Sequence, residues 1–554
     1  MENNHTANSQ SGGKVLAMYD IRGIQDYIYR TPHIKDAMGA SLIIEDILMK
    51  ALRKACEKLS IKPEEMDLEW ETEKGKDVKQ FKMSEKAVQV LYIGGGNAYV
   101  IYNNDKDEKE DEKEGKNLYW KINKEMSKYI IEKTYSLQLA AECVPVSDVY
   151  YNDYEELRNK MDDVKAKMAG SKPLGALPIM KTEIRTGYPA IEESPDKNRV
   201  DISKETAIKL DEKNEKIKEL KQDKFLENYI NRGKDSRIAV VHIDGNNMGL
   251  RIREQIEHEP DYVKAVNTMR QISHNIKKAY KDTFEKMENK FKDEYEDTKF
   301  AQNIKRFVRK VIVAGDDITY VCNAHIALET VRYYSEQISG LMMVSEESTQ
   351  ENIKKYGFSI CAGIAYIGSH FPFYTAYEVA EACCASAKGE AKKDENKEKL
   401  QSGGERIGNY VDFQICKNIH CKNLDKVRKE EYSTPTGENL LIRPYYIPTT
   451  HQYGLSKNAG KLNDYTSLKE NIRKFSDEKN MPRSFVKELR NTYSLGRYQM
   501  DTLYAFLKSR DWKLPKDSLY EEINGVQTAL WYDAAEIMDY NLYITQSQEE
   551  NADA

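Results

Sequence analysis

Residues 311–321 read "VIVAGDDITYV", with Asp316 and Asp317 side by side between two apolar, β-branched runs. That context predicts two buried strands joined by a tight turn, with the two carboxylates in the hairpin. A third aspartate, Asp244, closes the apolar run "IAVVHI", 73 residues before Asp317. The ends of neighbouring strands can bring such carboxylates within a few ångströms. Like charges that close raise each other's pKa and repel. A divalent cation removes the penalty, and an oxygen-only ligand set at Asp244, Asp316 and Asp317 suits Mg²⁺ or Mn²⁺, which keep waters and bind substrate phosphates. Two such ions about 4 Å apart can activate a hydroxyl and stabilise a leaving pyrophosphate. An Asp-Asp pair alone would fit an ordinary surface turn; the buried strands around it and the aspartate at another strand end favour the metal site.

Phosphate-binding candidates surround the carboxylates. "GNNMG" follows Asp244 directly, so Gly245, Asn246, Asn247, Met248 and Gly249 lie where a strand turns into a helix. Backbone amides in such a turn can cradle a triphosphate. Gly315 lies in the hairpin turn, and Lys388, late in an alanine-rich helix, has the reach of a phosphate ligand. A lysine at a helix end also suits plain solvent.

The elements that must hold these residues follow from periodicity. "RIAVVHIDG" is a strand, "KAVNTMRQISHNIKKAYKDTFEKMENKF" a helix, and "VRKVIVAGDDITYVCNA" the hairpin. "HIALETVRYYSEQISGLM" is an amphipathic helix, "FSICAGIAYIG" a strand and "YTAYEVAEACCASAKGEAKK" a helix. The order βαββαβ predicts helices on one face of an antiparallel sheet, the ferredoxin-like or palm arrangement. The pattern repeats earlier: "KVLAMYDIRGIQDYIY" is a strand ending near Asp20, and "VQVLYIGGGNAYVIYN" a hairpin with Gly94, Gly95, Gly96 and Asn97 at its turn. Asp20 and Asn97 are 77 residues apart. This reads as a duplicated palm whose second copy alone keeps its hairpin carboxylates. A nucleotide between the copies would meet metal on one side and the backbone of Gly95, Gly96 and Asn97 on the other, although glycines there can also simply make the turn.

The fold expected is therefore α+β, with two ferredoxin-like domains and a C-terminal helical domain. The segments are a tail at 1–13, a degenerate first palm at 14–190, a charged helical linker at 191–234, a second palm at 235–430 and helices over 431–554. The charge runs at 103–116 and 389–408 read as polar loops or inserts. A net charge of -6 from 85 basic and 91 acidic residues neither demands nor excludes a nucleic-acid partner. No run of about 20 apolar residues predicts a membrane span, and the start lacks the apolar core of a signal peptide, so a cytoplasmic location is expected. The eight cysteines show no dense disulfide framework, and Cys416, His420 and Cys421 lack an evident fourth ligand for zinc.

With these motifs in hand, the chain resembles the Cas10 (Csm1/Cmr2) family, the large subunits of type III CRISPR effector complexes. "DIRGIQDYIYRTPHIKDAMGASLIIEDI" and "GGGNAYVIY" are similar to the family's first palm, and "HIDGNNMG" and "AGDDITYV" to its cyclase palm, whose usual hairpin is Gly-Gly-Asp-Asp. Pro372 and Lys388 fall in place in the helix that follows. The resemblance implies conversion of ATP to cyclic oligoadenylates in antiviral defence, switched on by guide and target RNA in a complex with other effector subunits. It implies Asp244, Asp316 and Asp317 as metal ligands, and Gly245 through Gly249 with Lys388 at the phosphates. Departures are also visible. The first palm begins almost at once, so an HD nuclease is not expected. "MKTEIRTGYPAIE" looks like the family's zinc region without its cysteines, Glu183 and Thr186 standing in their places, so no structural zinc is expected. Ala314 replaces the first hairpin glycine, and Asn246 stands where aspartate is common. Two other classes remain open: a non-catalytic, RNA-binding scaffold subunit, and a stand-alone cyclic dinucleotide synthase.

Overall fold

The computed structural model describes residues 13–541 apart from 73–74, 76, 95, 104–117, 169–176, 194–200, 212–228, 231–235, 296–306, 347–348, 394–396, 400–404, 452–460, 478–480, 511–513, 515–517 and 524. The expected N-terminal tail, nearly all of the charged loop after 103, most of the linker helix, Gly95 and the middle of the 389–408 insert lie outside the described residues. The chain divides into two compact units, Met1–Asp223 with Asn247–Lys278, and Lys224–Asn246 with Ala279–Ala554.

The first unit is built on β1 (Lys14–Arg22), α1 (Ile24–Tyr29), α2 (Ile34–Lys58), β2 (Met66–Asp67), β3 (Val88–Gly94), β4 (Asn97–Asn103), α3 (Leu118–Thr134), β5 (Gln138–Pro145) and α4 (Tyr150–Lys167). Its sheet runs β2-β3-β4-β1-β5, with β1 antiparallel to both neighbours. Alternation along β1 sends Leu16 and Met18 into one core with Tyr150, Tyr154 and Leu157 of α4. Tyr19 points to the other face, where its hydroxyl meets that of Tyr102 at 2.9 Å.

A small lobe follows, with β6 (Ala190–Glu193), β7 (Asp201–Ser203) and α5 (Lys204–Lys209). Its centre is a carboxylate. Oε2 of fully buried Glu183 accepts hydrogen bonds from the Thr186 hydroxyl at 2.8 Å, the Thr206 hydroxyl at 2.9 Å and the Ser203 amide at 3.2 Å. Glu183-x-x-Thr186 and Ser203-x-x-Thr206 thus hold two loops together through hydrogen bonds, at the paired spacing that cysteines use around zinc.

The second unit opens with β8 (Arg237–Gly245); α6 (Met248–Ile256) and the start of α7 (Tyr262–Tyr295), up to Lys278, belong to the first. It continues with β9 (Val308–Ala314), β10 (Asp317–Asn323), α8 (Ala327–Ser339), α9 (Gln350–Tyr356), β11 (Ile360–Gly368) and α10 (Phe373–Ala391). The strands β12 (Lys397–Lys399) and β13 (Glu405–Ile407) pair with each other, and β14 (Asn409–Ile415), α11 (Leu424–Glu431) and β15 (Tyr445–Ile447) follow. The sheet order is β15-β14-β11-β8-β10-β9. Here too the first strand, β8, is antiparallel to a hairpin strand on one side and to the later β11 on the other. Helix α10 lies so close to β11 that a Cβ on Gly363 would stand 1.9 Å from the carbonyl oxygen of Ala380. Only glycine on the strand permits that approach, and it fixes where Lys388 emerges.

The two hairpins share a detail beyond strand order. Pairing with β4 slips between Val90 and Tyr92, leaving Leu91 bulged; pairing with β10 slips at Val311, the same distance before the turn. In the first unit the buried carbonyls of the bulge find a partner. Buried Arg270 donates to the carbonyl oxygens of Leu91 at 2.7 Å and Val90 at 2.6 Å.

The stretch after residue 431 differs from the helical expectation. It contains α12 (Tyr465–Ser476), α13 (Arg483–Tyr493), α14 (Arg497–Ser509) and α15 (Tyr532–Ile537), but β15 joins the main sheet and β16 (Tyr520–Ile523) with β17 (Val526–Ala529) forms a hairpin. Short strands of three or four residues carry too little alternation to stand out in a sequence. A buried ion network ties this part to the sheet: Arg443 donates to Glu536 at 3.0 Å and lies 3.3 Å from Asp533.

Candidate active site

β8 and β10 pair through Ile243 and Ile318, so the next residues outward, Asp244 and Asp317, end adjacent strands. Asp316 shares the two-residue turn with Gly315, whose φ of +66° is left-handed. That position needs glycine. Ala314 before it has no such demand, because among the described residues the only non-glycines with positive φ are Ser60, Tyr135 and Asn247. The methyl group that departs from the family hairpin is therefore free of backbone strain.

Asp244 burdens the two hairpin carboxylates. Burial, then the charge of Asp244, pushes Asp316 up to about 7, and the same two causes with Glu381 push Asp317 up to about 7. Oδ1 of Asp317 is buried without a hydrogen-bond partner, its nearest basic atom being Nδ1 of His242 at 3.5 Å. Among the described residues the cation paired here is Lys388, which donates from Nζ to Oδ2 of Asp244. Burial works against the ammonium, and Asp244 more than restores it, so its pKa lies above the ordinary value. When all three carboxylates are ionised, one ammonium leaves two negative charges uncompensated, which is why Asp316 and Asp317 hold their protons up to about 7.

Among the described residues no three His, Cys, Asp or Glu side chains converge closely enough to ligate an ion as they stand. The donor chemistry nonetheless fits Mg²⁺ or Mn²⁺: all ligands are oxygen, one carboxylate oxygen is orphaned, and the charge excess equals that of one divalent ion. Replacing Lys388 at Asp244 is the adjustment such an ion would require.

The other predicted residues are distributed as follows. Gly245 ends β8, paired opposite Ile360. Asn246 is turned inward, its side-chain amide donating to Ser359 Oγ and the Gly408 carbonyl, each at 3.2 Å. Its side chain is thus engaged in holding the turn. Asn247, at φ 54°, occupies the position before α6, which Met248 and Gly249 begin, without a capping hydrogen bond from its side chain. In the first unit Gly96 is left-handed at φ +85°, and Asn97 pairs across the strands with Asp20. Lys165 of α4 forms an ion pair with Asp20, and Asn97, with its amide turned over, donates to both Asp20 oxygens at 3.3 Å. Gly95 lies outside the described residues.

Sequence reasoning missed His242 and Glu381. His242, buried, has Nδ1 3.1 Å from the Thr319 hydroxyl, and burial lowers its pKa, keeping it neutral. Both had legible signals. His242 is two residues before Asp244 and so shares its face of the strand. Glu381 is seven residues before Lys388, two helical turns away on the same side.

Comparison with known proteins bears on this site. Residues 237–400 match the family model described as Cas10/Cmr2, second palm domain. Over that span the chain is similar to a Cas10 palm. The matched span holds Asp244, Asp316, Asp317 and Lys388. No curated protein matches. Among solved structures, Csm1 in T. onnurineus is similar at 14% identity with a TM-score of 0.49, covering 95% of this chain and 69% of that one. An apo Csm1–Csm4 cassette has 14% identity and a TM-score of 0.44 over 98% of this chain and 71% of that one. A Csm1–Csm4 cassette in complex with cA4 has 14% identity and a TM-score of 0.42, over 95% and 69%. No helix among the described residues is long and apolar enough to cross a membrane.

Proposed function

We propose that this chain is a metal-dependent nucleotidyltransferase that converts ATP to cyclic oligoadenylates in CRISPR-type antiviral defence, under the control of RNA and of partner effector subunits. Both sheets are read as ferredoxin-like palms, at 14–190 and 235–430, with the second as the catalytic one. The observation that carries the reading is the uncompensated charge at Asp244, Asp316 and Asp317 around the orphaned Asp317 oxygen.

Bound Mg²⁺ or Mn²⁺ would supply Lewis acidity to a ribose 3′-hydroxyl and to the leaving pyrophosphate. Asp316 and Asp317, on a hairpin pinned by its bulge and its left-handed glycine, hold their carboxylates where they repel in the absence of a cation. Asp244 lies at the end of the central strand beside them. Lys388, released from Asp244, is free to swing its ammonium to the triphosphate. Backbone amides of the turn from Gly245 to Gly249, at the start of α6, offer donors to phosphate oxygens. Neutral His242 steadies the hairpin through Thr319.

The scaffold reading has one observation in its favour, the lysine that already occupies Asp244. Both are tested by incubating the purified chain with ATP and Mg²⁺ or Mn²⁺, with and without RNA and partner subunits, and resolving the products by chromatography and mass. Cyclic adenylates lost in D316A/D317A support the enzyme. No product under any of these conditions supports the scaffold.

A further inference from the structure

The chemistry above uses neither cysteine of "ICKNIHCKNL", residues 415–424. Cys416 carries β14 on by one residue, its N–H donating to the carbonyl oxygen of Tyr366 at 2.9 Å. Residues 417–420 then run outward and are exposed, and a short 3₁₀ turn, Ile419–Lys422, brings Cys421 back inside. The Asn418 side chain holds that turn, accepting from the His420 N–H at 2.9 Å. The excursion leaves and returns at the same depth, and its two ends meet: the thiols of Cys416 and Cys421 share a hydrogen bond.

The other cysteines of the second unit are placed differently. Cys384 donates to the carbonyl oxygen of Cys361 at 3.3 Å, and Cys383 lies against the Arg428 guanidinium at 3.9 Å. Cys322, Cys361, Cys383 and Cys384 are 2% exposed or less, whereas Cys416 at 7% and Cys421 at 4% keep a narrow path to solvent. A cavity of about 1180 Å³ opens beside their turn, lined by Asn418, Ile419, His420 and Lys422, with Ala382 and Ala385 of α10 also on its wall. Among the described residues no three metal-ligating side chains converge, and His420 lies on the exposed part of the loop, so the pair suits oxidation rather than zinc. The shared hydrogen bond also separates the roles. It holds the Cys421 thiol below its ordinary value and raises that of Cys416. The thiolate is the form that attacks peroxides, so Cys421 is the nucleophile and Cys416 the resolving thiol.

We propose that Cys416 and Cys421 are a peroxide-sensitive dithiol that closes to a reversible disulfide. The Cys421 thiolate attacks one oxygen of hydrogen peroxide. The O–O bond breaks, hydroxide leaves and takes up the proton that the thiol released, and the sulfur becomes a sulfenic acid. The Cys416 sulfur then attacks that sulfur, the S–O bond breaks, and the oxygen leaves with the Cys416 proton as a second water. Two thiols and one peroxide give one disulfide and two waters, the thiols losing two electrons to the peroxide. In a reducing compartment such a bond is transient, made under oxidative challenge and reversed by thiols. It would fasten the end of β14 to the turn whose Lys422 is paired with Glu378 of α10 at 2.8 Å. Nothing in this proposal rests on the catalytic reading.

Trypsin cuts after Arg406, Lys417 and Lys422, which puts the two cysteines in separate peptides, 407–417 and 418–422. The test treats the reduced full chain with a small molar excess of hydrogen peroxide, quenches it in acid, alkylates it in denaturant, digests it and weighs the peptides. The expected product is the linked pair 407–417/418–422, two hydrogens lighter than the sum of its parts and lost on treatment with dithiothreitol. In C416S, Cys421 is expected to stop at the sulfenic acid and be trapped by dimedone, while C421S gives no adduct at Cys416. Both cysteines alkylated in the wild type after peroxide would overturn the proposal, whether or not the variants fold. So would Cys421 linked to Cys383, or Cys421 oxidised to the sulfinic acid with Cys416 still alkylated. An adduct on Cys416 in C421S with none on Cys421 in C416S would overturn the assignment of the nucleophile.

Discussion

The two sheets place an aspartate and a helix-borne lysine at matching positions and reach different charge states. At the end of β1, Asp20 faces Asn97 across the strands and is paired with Lys165 from the last turn of α4. At the end of β8, Asp244 lies beside Asp317 and Asp316 and is paired with Lys388 from the last turn of α10. Strand order, bulge and helix-borne lysine are common to both. The first site sums to zero, one carboxylate and one ammonium. The second sums to -2 once Asp316 and Asp317 are ionised, which their raised pKa values of about 7 resist. A neutral site has no electrostatic reason to take up a cation, while the second carries a repulsion that a divalent ion relieves. One hairpin thus reads as structure and the other as chemistry, on the same scaffold.

The largest effect should come from making the second site resemble the first. D317N recreates the Asp/Asn pair, and it should cut adenylate synthesis by about 10³-fold or more, measured as product per enzyme under saturating metal. Wild-type rates in D317N would break the comparison. K388M should lower synthesis by a smaller factor, about 10–100-fold, by removing one charge-assisted phosphate contact; the same variant should melt lower in the absence of divalent cation, because Asp244 is left unpaired.

The pH dependence of stability sharpens the comparison further. Asp316 and Asp317 titrate near 7 when folded against an ordinary 3.8, so between those values the folded chain holds more protons than the unfolded one. Their stabilising contribution is full below about pH 4 and is lost as pH rises through 7. Without divalent cation, the wild type should melt a few degrees lower at pH 8 than at pH 6, and D316N/D317N should remove most of that slope. The smallest effect is the converse change in the first site. N97D sets a second carboxylate directly opposite Asp20 and should cost about 0.2–1 kcal/mol at pH 8 by urea denaturation, with synthesis unchanged.

Much of this was legible in the residues. The β-branched runs around "AGDD" and the apolar strand before Asp244 placed the carboxylates on adjacent strand ends, and the 77- and 73-residue spacings pointed to two hairpins set alike beside a first strand. What escaped depended on contacts between distant residues. Nothing in "DGNNMG" says that Asn246 turns inward to Ser359 and Gly408, and nothing near Lys388 says that it rests on Asp244. From the sequence, Glu183 and Thr186 read only as absent cysteines. Their partners Ser203 and Thr206 lie across a long polar stretch, and only the fold shows that one carboxylate oxygen takes the central place.

The most direct measurement is Mn²⁺ binding, followed by calorimetry or electron paramagnetic resonance with a non-hydrolysable ATP analogue present. Wild type and D20N should bind alike, and D316N/D317N should bind at least about 100-fold more weakly. Equal Mn²⁺ affinity in wild type and D316N/D317N, or a loss in D20N as large as in that variant, would contradict the assignment of the cation to the second site.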